Sequence, residues 1–365
     1  MLNGKQKAIV FPHSVFDIEH PIFNILLSFH LRLGERFYTI RRPEKSMRKK
    51  RIALVFGMED TFPWALIDAI NARGGDQVEA MPAQISYLKD DGVFPYDLIL
   101  DRISHEIPFY RTYLKCAAAS GVKIVNNPIW WSADDKFFDN LVAKSVKVAV
   151  PKTVLLPHKD YPPSTEAKSF RNMKWVNWDE VFAYLGFPIF MKPAYGGGWK
   201  DVYKCDNQQE FFAAYDQTRD LTMMAQEAIE FDRYYRCYVI GRSRVHIMHY
   251  DPKQPHHLRY VKNPPPMEPE FEARICRDAI ALCDALGYDM NTVEFAVRDG
   301  VPIAIDFMNC APDADLVSVG EENFKWVVSN MAEALIEIVT SGKKLELTGT
   351  WPQTLNTSKD VETSI

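Results

Sequence analysis

The chain has 365 residues, 47% apolar and 13% aromatic, enough to build two or three packed cores. Its formal net charge of −5 argues against a general nucleic-acid binder, whose electrostatic footprint is basic. Six cysteines without a CxxC pair read as the reduced thiols of a cytoplasmic protein. No apolar run approaches the roughly 18 residues that span a bilayer, and the apolar stretch in "MLNGKQKAIVFPHSVFD" is too short for a secretory signal.

Residues 1–50 read as an N-terminal extension. Within it "HPIFNILLSFHLRLGERFYTI" predicts a helix after Pro21, and "RRPEKSMRKKR" (41–51) a solvated basic linker. From 51 to 130 the element types alternate. "RIALVFG", "DQVEAMPA", "YDLILDR" and "VKIVNNP" read as strands, with helices in "WALIDAINARGG" and "PFYRTYLKCAAASG". Such alternation implies a parallel sheet with crossover helices, a Rossmann-like domain. Ligands gather at the carboxyl ends of such strands, which puts "GMEDTFP" (57–63) and "DRISHE" (101–106) at a site mouth.

A second region, 131–225, carries helices in "ADDKFFDNLVAKSV", "WDEVFAYLG" and "NQQEFFAAYDQTRD", with strands in "PKTVLLP", "PIFMKPA" and "DVYKC". At its start, Trp130 and Trp131 read as core packing. A third region, 226–342, holds two strands about the Gly241-Arg242 turn, a helix ending at Gly287, a hairpin in "NTVEFAVRDGVPIAIDFMN" and a final helix. His256 and His257 lie in its proline-rich stretch "PKQPHHLRYVKNPPP" and read as exposed rather than metal-binding, in a loop that could face substrate. The tail, 343–365, is polar and expected to fray.

Two stretches carry chemistry. In "KPAYGGGWKDV" (192–202) three glycines follow Lys192, which suits either a loose hairpin tip or a backbone lying over phosphate. In the 291–309 hairpin, Asp299-Gly300 is a strong turn signal, and Glu294 and Asp306 are the acids within its strands. A two-residue loop pairs Glu294 with Ile305 and throws Asp306 to the opposite face. A three-residue loop makes Asp306 a diagonal neighbour of Glu294, about 7–8 Å away, a gap that two carboxylates sharing a hard cation can bridge. The plain alternative has one acid facing solvent and the other ending the sheet. Against it, Asp306 sits in the apolar run "IAIDF", where an unpaired carboxylate is costly.

Together these parts resemble the ATP-grasp superfamily over roughly residues 51–341, nearest to its carboxylate–amine ligases: D-alanine–D-alanine ligase, glutathione synthetase and the ribosomal-protein glutamate ligases. "SADDKFFDNLVAKSVKVAVPKTVLLP" looks like the segment whose helical lysine, here Lys136, reaches nucleotide phosphate. "FPIFMKPAYGGGWKDV" looks like the strand, lysine and glycine loop that close over the phosphates, which implies roles for Lys192, Gly196, Gly197 and Gly198. "AQEAIEF" resembles the adenine-lining linker, implicating Gln226, Glu227 and Ile229, with Asp232 the nearest candidate for the ribose acid. The hairpin implies Glu294, Asp306 and Asn309 as magnesium ligands, although Asp306 and Asn309 stand one residue further apart than the family's usual spacing.

The resemblance implies an α/β fold: a Rossmann-like pre-ATP-grasp domain followed by a two-lobed ATP-grasp fold. It implies a ligase that uses ATP and Mg2+, with room for two ions and Mn2+ able to substitute. The enzyme would activate a carboxylate as an acyl phosphate and join it to an amine, either of which could be an amino acid or peptide, releasing ADP and phosphate. An arginine should hold the acyl phosphate, and of Arg236, Arg244 and Arg259 the last ranks first because it lies in a loop before the hairpin. Asp313 and Asp315 suit either a cationic amine or helix capping. D-alanine ligases carry an arginine where Thr292 stands, so D-alanine dipeptide synthesis is not expected. A small-molecule kinase and a nucleotide-binding regulator without turnover are the alternatives. No membrane or nucleic-acid partner is expected, and a homodimer is common among such ligases.

Overall fold

The computed structural model describes residues 48–129, 135–255, 258–342 and 349–357, and two strands before them. The chain divides after Met47 into two units. In the first, β1 (His30–Leu33) and β2 (Arg36–Thr39) pair antiparallel, His30 opposite Thr39. The helix expected after Pro21 is therefore not continued through these residues. "HLRL" alternates with period two and "RFYT" is rich in aromatic and β-branched residues, on either side of Gly34-Glu35, which favours strands. Residues 20–29, Trp130, Trp131, His256 and His257 lie outside the described residues.

The second unit begins with a parallel sheet of β3 (Lys50–Val55), β4 (Val78–Pro82), β5 (Leu98–Asp101) and β6 (Lys123–Val125), in the order β4-β3-β5-β6. Helices α1 (Phe62–Gly74) and α2 (Pro108–Ala119) connect its strands. The strands are apolar on both faces because both are covered, Ile52 and Leu54 beneath α1, Ala53 and Ile99 beneath α2. The end of the basic stretch is exposed but ion-paired: Arg48 and Lys50 reach Asp97 at 2.8 and 3.2 Å, and Arg51 reaches Glu79 at 2.7 Å.

The next layer is an antiparallel sheet in the order β7-β10-β8-β9: β7 (Thr153–Leu156), β8 (Ile189–Pro193), β9 (Tyr203–Cys205) and β10 (Met223–Glu227). Helices α4 (Trp178–Leu185) and α5 (Gln208–Gln217) cover one face, where Trp178, Phe182 and Phe211 pack edge to face. In chain order α3 (Lys136–Ser145) comes between the first two sheets, and its Val142 and Ala143 are buried in the core of the third sheet.

That third sheet, order β12-β11-β13-β14, is also antiparallel: β11 (Arg233–Ile240), β12 (Arg244–His249), β13 (Met290–Arg298) and β14 (Val301–Asp306). Alternation along β11 and β13 sorts its faces. Tyr235, Cys237, Val293 and Phe295 pack on α6 (Pro269–Leu286). Tyr238, Ile240 and Met290 join α1 and α8 (Glu321–Thr340) in one core, with the short α7 (Leu316–Val319) leading into α8. The opposite end of this second face, with Tyr234 and Glu294, borders a cavity. Within the tail, the described segment is not frayed: α9 (Trp351–Thr357) docks with Trp351 edge-on to Phe138 at 5.1 Å. Residues 343–348 and 358–365 lie outside the described residues.

Candidate active site

Between the second and third sheets lies a cavity of about 670 Å³, a size that holds a nucleotide-sized ligand. Its floor is β8. Lys192 stands there, its Nζ 3.5 Å from the Ile305 carbonyl oxygen. Burial pulls its pKa down to about 8, with the nearby Lys136 pushing the same way, while Asp306 and Glu294 pull back. Lys136 opens α3, where the Asp135 carboxylate caps the helix by accepting from Phe138 N at 2.8 Å. The Lys136 N–H donates to Ala194 O at 3.0 Å, so the helix start is fastened to the base of the glycine loop.

The loop lines the cavity with Gly196, Gly197, Gly198 and Trp199. A Cβ on any of these glycines would meet nothing within 4 Å among the described residues, so crowding does not demand them here. Conformation does at two of them: Gly196 has φ 99° and Gly198 φ 70°. Trp199 follows at φ 61°, an unfavourable region for a bulky side chain, and is 66% exposed.

The cavity's far wall is the linker from β10 to β11. Ala228 N donates to Pro188 O and Glu227 N to Lys152 O, both at 3.0 Å, which holds this backbone extended beside β7 and β8. The Gln226 amide donates to Thr153 Oγ1 at 3.0 Å, and the Glu227 carboxylate accepts from Lys152 N and meets Arg298 at 3.6 Å. Gln226, Glu227 and Ile229 all line the cavity.

The register of the hairpin answers the question of its two acids. The turn has two residues, Asp299 (φ 53°) and Gly300 (φ 72°), so Arg298 faces Val301. That register alone would set Glu294 against Ile305. A bulge intervenes: Phe295 faces Ala304, Glu294 faces Asp306, and Ile305 is the extra residue. Both carboxylates thereby reach one face, and both line the cavity. The three-residue loop is not used; the bulge achieves its effect. Burial raises the Glu294 pKa and Asp306 pushes it further, against the pull of Arg236, Tyr234 and Lys192. Tyr234 OH donates to Glu294 Oε2 at 2.6 Å, and Arg236 Nη1 lies 3.7 Å from Oε1.

Three expected residues are not in the cavity lining. Asp232 points outward, its side chain 65% exposed and 3.5 Å from Arg233 Nε; Tyr234 stands at the wall instead. The Asn309 amide donates to Thr292 O at 3.1 Å, just beyond the acids. Arg259 turns back on its own loop, donating to Gln254 O at 3.0 Å and Tyr250 OH at 3.4 Å. The arginine beside Glu294 is Arg236, and its Nη2 is 3.5 Å from Thr292 Oγ1. The i, i+2 spacing of Tyr234, Arg236 and Tyr238 was the signal that could have singled them out.

The expected site mouth of the first sheet is instead a clamp. The buried Arg102 donates through Nε to Glu59 at 2.9 Å and through Nη2 to Pro312 O at 2.6 Å, and Asn126 donates to Cys310 O at 2.8 Å. Asp315 caps α1 from 254 residues away, accepting from Thr61 N at 3.1 Å and Phe62 N at 2.9 Å. Burial raises its pKa, but these backbone N–H groups outweigh that and hold it below the usual carboxylate value. Of the two earlier readings of Asp315, capping is the one observed. The strands' carboxyl ends therefore grip the 310–315 loop that follows the hairpin.

No family model matches the sequence. Mitochondrial pyruvate carboxylase of Mus musculus and that of Homo sapiens are each 26% identical to it over 179 residues. The match covers 44% of this chain, and the chain spans only 14% of the length of those enzymes. Among solved structures it is similar to the D-alanine–D-alanine ligase of Bacillus anthracis complexed with ATP, with 16% identity, a TM-score of 0.60, and 80% of this chain and 98% of that one covered. It is also similar to the VanG D-Ala:D-Ser ligase of Enterococcus faecalis, with 17% identity, a TM-score of 0.57, and 80% and 100% covered. A RimK domain ATP-grasp protein of Sphaerobacter thermophilus gives 18% identity, a TM-score of 0.58, and 78% and 98% covered. The chain has the ATP-grasp fold, and the solved proteins it is similar to are ligases of that superfamily.

Proposed function

We propose that this chain is an ATP-dependent carboxylate–amine ligase, which phosphorylates a substrate carboxylate and lets an amine displace the phosphate. One observation carries the reading: two lysines from separate elements, the glycine loop, the extended linker and two opposed carboxylates all border a single cavity. Phosphoryl transfer asks a protein for little beyond positioning and charge neutralisation, and this set supplies both. Lys136 and Lys192 would meet phosphate oxygens, with Gly196, Gly197 and Gly198 covering them. Gln226, Glu227 and Ile229 would line the base.

Glu294 and Asp306 suit a divalent cation, being two hard oxygen donors set opposite one another with Glu294 under pressure to shed its charge. Among the described residues no group of three His, Cys, Asp or Glu could hold a metal, so further oxygens would come from the nucleotide and from Asn309. When bound, magnesium supplies charge neutralisation at the transferring phosphoryl group. A second ion, Mn2+ in its place, and Asp232 at the ribose belong to this reading as further proposals.

Arg236 is the arginine we assign to the acyl phosphate in preference to Arg259, because its guanidinium stands over Thr292 and beside Glu294. It thus comes from β11 to where D-alanine ligases carry an arginine on the hairpin. The parallel sheet, residues 51–130, would be the Rossmann-like pre-ATP-grasp domain, with lobes at 131–225 and 226–342. A cytoplasmic homodimer acting on small carboxylates and amines, amino acids or peptides among them, completes the reading.

The test is thermal unfolding with and without magnesium ATP, on the wild type and on Lys192→Ala, followed by a phosphate-release screen of carboxylate and amine pools. Ligand at a hundred times its dissociation constant should stabilise the wild type by about 2.7 kcal/mol and the variant by much less. No magnesium-dependent shift in the wild type would refute the reading. ADP formed without free phosphate would favour a kinase.

A further inference from the structure

Two buried polar atoms near the hairpin have no hydrogen-bond partner among the described residues: Arg236 Nε and the Tyr260 hydroxyl. Buried polar groups are nearly always satisfied, so a pair of exceptions in one neighbourhood asks for a ligand. The two are linked through Tyr250. Its ring centroid is 5.7 Å from the Arg236 guanidinium and 5.1 Å from the Tyr260 ring, and Tyr250 and Tyr260 pair in an isolated antiparallel bridge. The remaining corners of the guanidinium are partly engaged, Nη1 at 3.7 Å from Glu294 and Nη2 at 3.5 Å from Thr292. The Nε edge is the one left over.

The location suits a reacting group. Tyr234 lines the cavity, and Arg236, which does not, is two residues and about 7 Å further along the same face of β11. The loop between Tyr250 and Tyr260 borders the cavity through Pro252 and Lys253, so the segment that delivers the Tyr260 hydroxyl also borders the nucleotide space. Burial pushes the Tyr260 pKa up to about 12 even against the pull of Arg236, so at neutral pH its hydroxyl is a donor.

We propose that Arg236 Nε and the Tyr260 hydroxyl form the seat for the carboxylate to be activated, with Tyr260 the residue that selects it. The inference rests on the ligase reading and deepens it. Two neighbouring unpartnered donors, one of them on a cation, suit an anionic oxygen acceptor. A carboxylate is the anion that the ligase reading brings to this side of the nucleotide cavity. The rings of Tyr250 and Tyr260 offer an apolar wall to the carbon next to the carboxylate.

Acetate is the simplest probe. Saturation transfer from protein to the acetate methyl would be recorded on the full chain, alone and with magnesium and a non-hydrolysable ATP analogue. Wild type, Tyr260→Phe and Arg236→Gln would be compared, with inorganic phosphate as competitor. We expect acetate to bind in at least one of the two states, about tenfold more weakly in Tyr260→Phe, and to be displaced poorly by phosphate. Tyr260→Phe should keep its stabilisation by magnesium ATP, which reads the nucleotide site separately and guards against a misfolded variant. Acetate that fails to bind the wild type, binds Tyr260→Phe equally well, or is displaced more readily by phosphate than by unlabelled acetate would overturn the seat. Such a failure with the magnesium ATP shift intact leaves the ligase reading standing; loss of that shift in the wild type removes the reading itself.

Discussion

Two arginine–glutamate pairs on the same side of the third sheet are built to different standards. Arg102 and Glu59 meet through two guanidinium nitrogens, a third contact goes to Pro312 O, and the arginine side chain is 1% exposed. Arg236 and Glu294 stand 3.7 Å apart with Nε unmatched, although both are largely buried. Desolvation penalises both pairs; the first recovers it within the pair, whereas in the second Glu294 accepts from Tyr234 at 2.6 Å and the Arg236 Nε is left without a partner. The satisfied pair closes the first sheet on the hairpin's outgoing loop. In the other pair Glu294 lines a cavity and the Arg236 Nε is left for a ligand to satisfy. Incomplete satisfaction is thus a better pointer to the site than charge alone.

The contrast makes predictions of decreasing size. Breaking the satisfied pair should hurt stability most: Arg102→Ala strands Glu59 and Pro312 O and should lower the unfolding free energy by about 3–5 kcal/mol, read in urea. Breaking the other should hurt folding little. Glu294→Gln removes a desolvated charge and keeps the shape, so we expect its apo stability within about 1 kcal/mol of wild type. The stabilisation by magnesium ATP, about 2.7 kcal/mol at a hundredfold excess over the dissociation constant, should largely disappear. If Glu294→Gln instead unfolds the protein like Arg102→Ala, the distinction between the pairs fails.

A smaller effect sharpens the same line. Asp315→Ala removes the distant cap of α1 and should cost about 1 kcal/mol. Because the folded pKa of Asp315 lies below its unfolded value, its contribution is full above about pH 4, the ordinary carboxylate range, and is lost as pH falls through the folded value. The difference between wild type and Asp315→Ala, measured by thermal unfolding across acid pH, should therefore shrink on acidification. A difference that holds constant to the lowest pH would mean the carboxylate's charge plays no part.

Much was legible in the chain itself, for local reasons. The short apolar run in "RIALVFG", the β-branched and apolar strands around the Asp299-Gly300 turn, and the glycine stops at Gly75 and Gly287 depend on residues close in sequence, so local backbone and side-chain preferences suffice to read them. The order of the lysine, glycine and acidic segments carried the resemblance to ATP-grasp ligases for the same reason. The tertiary structure alone decided what depends on long-range pairing. It set the bulge at Ile305 that brings Glu294 and Asp306 together, because a bulge is stabilised by what packs on both strands rather than by its own residues. It put Arg236 rather than Arg259 beside the acids, because β11 must align with β13 before either arginine has a neighbour. It gave Asp315 to a helix start 254 residues away, a hydrogen bond that no local window contains.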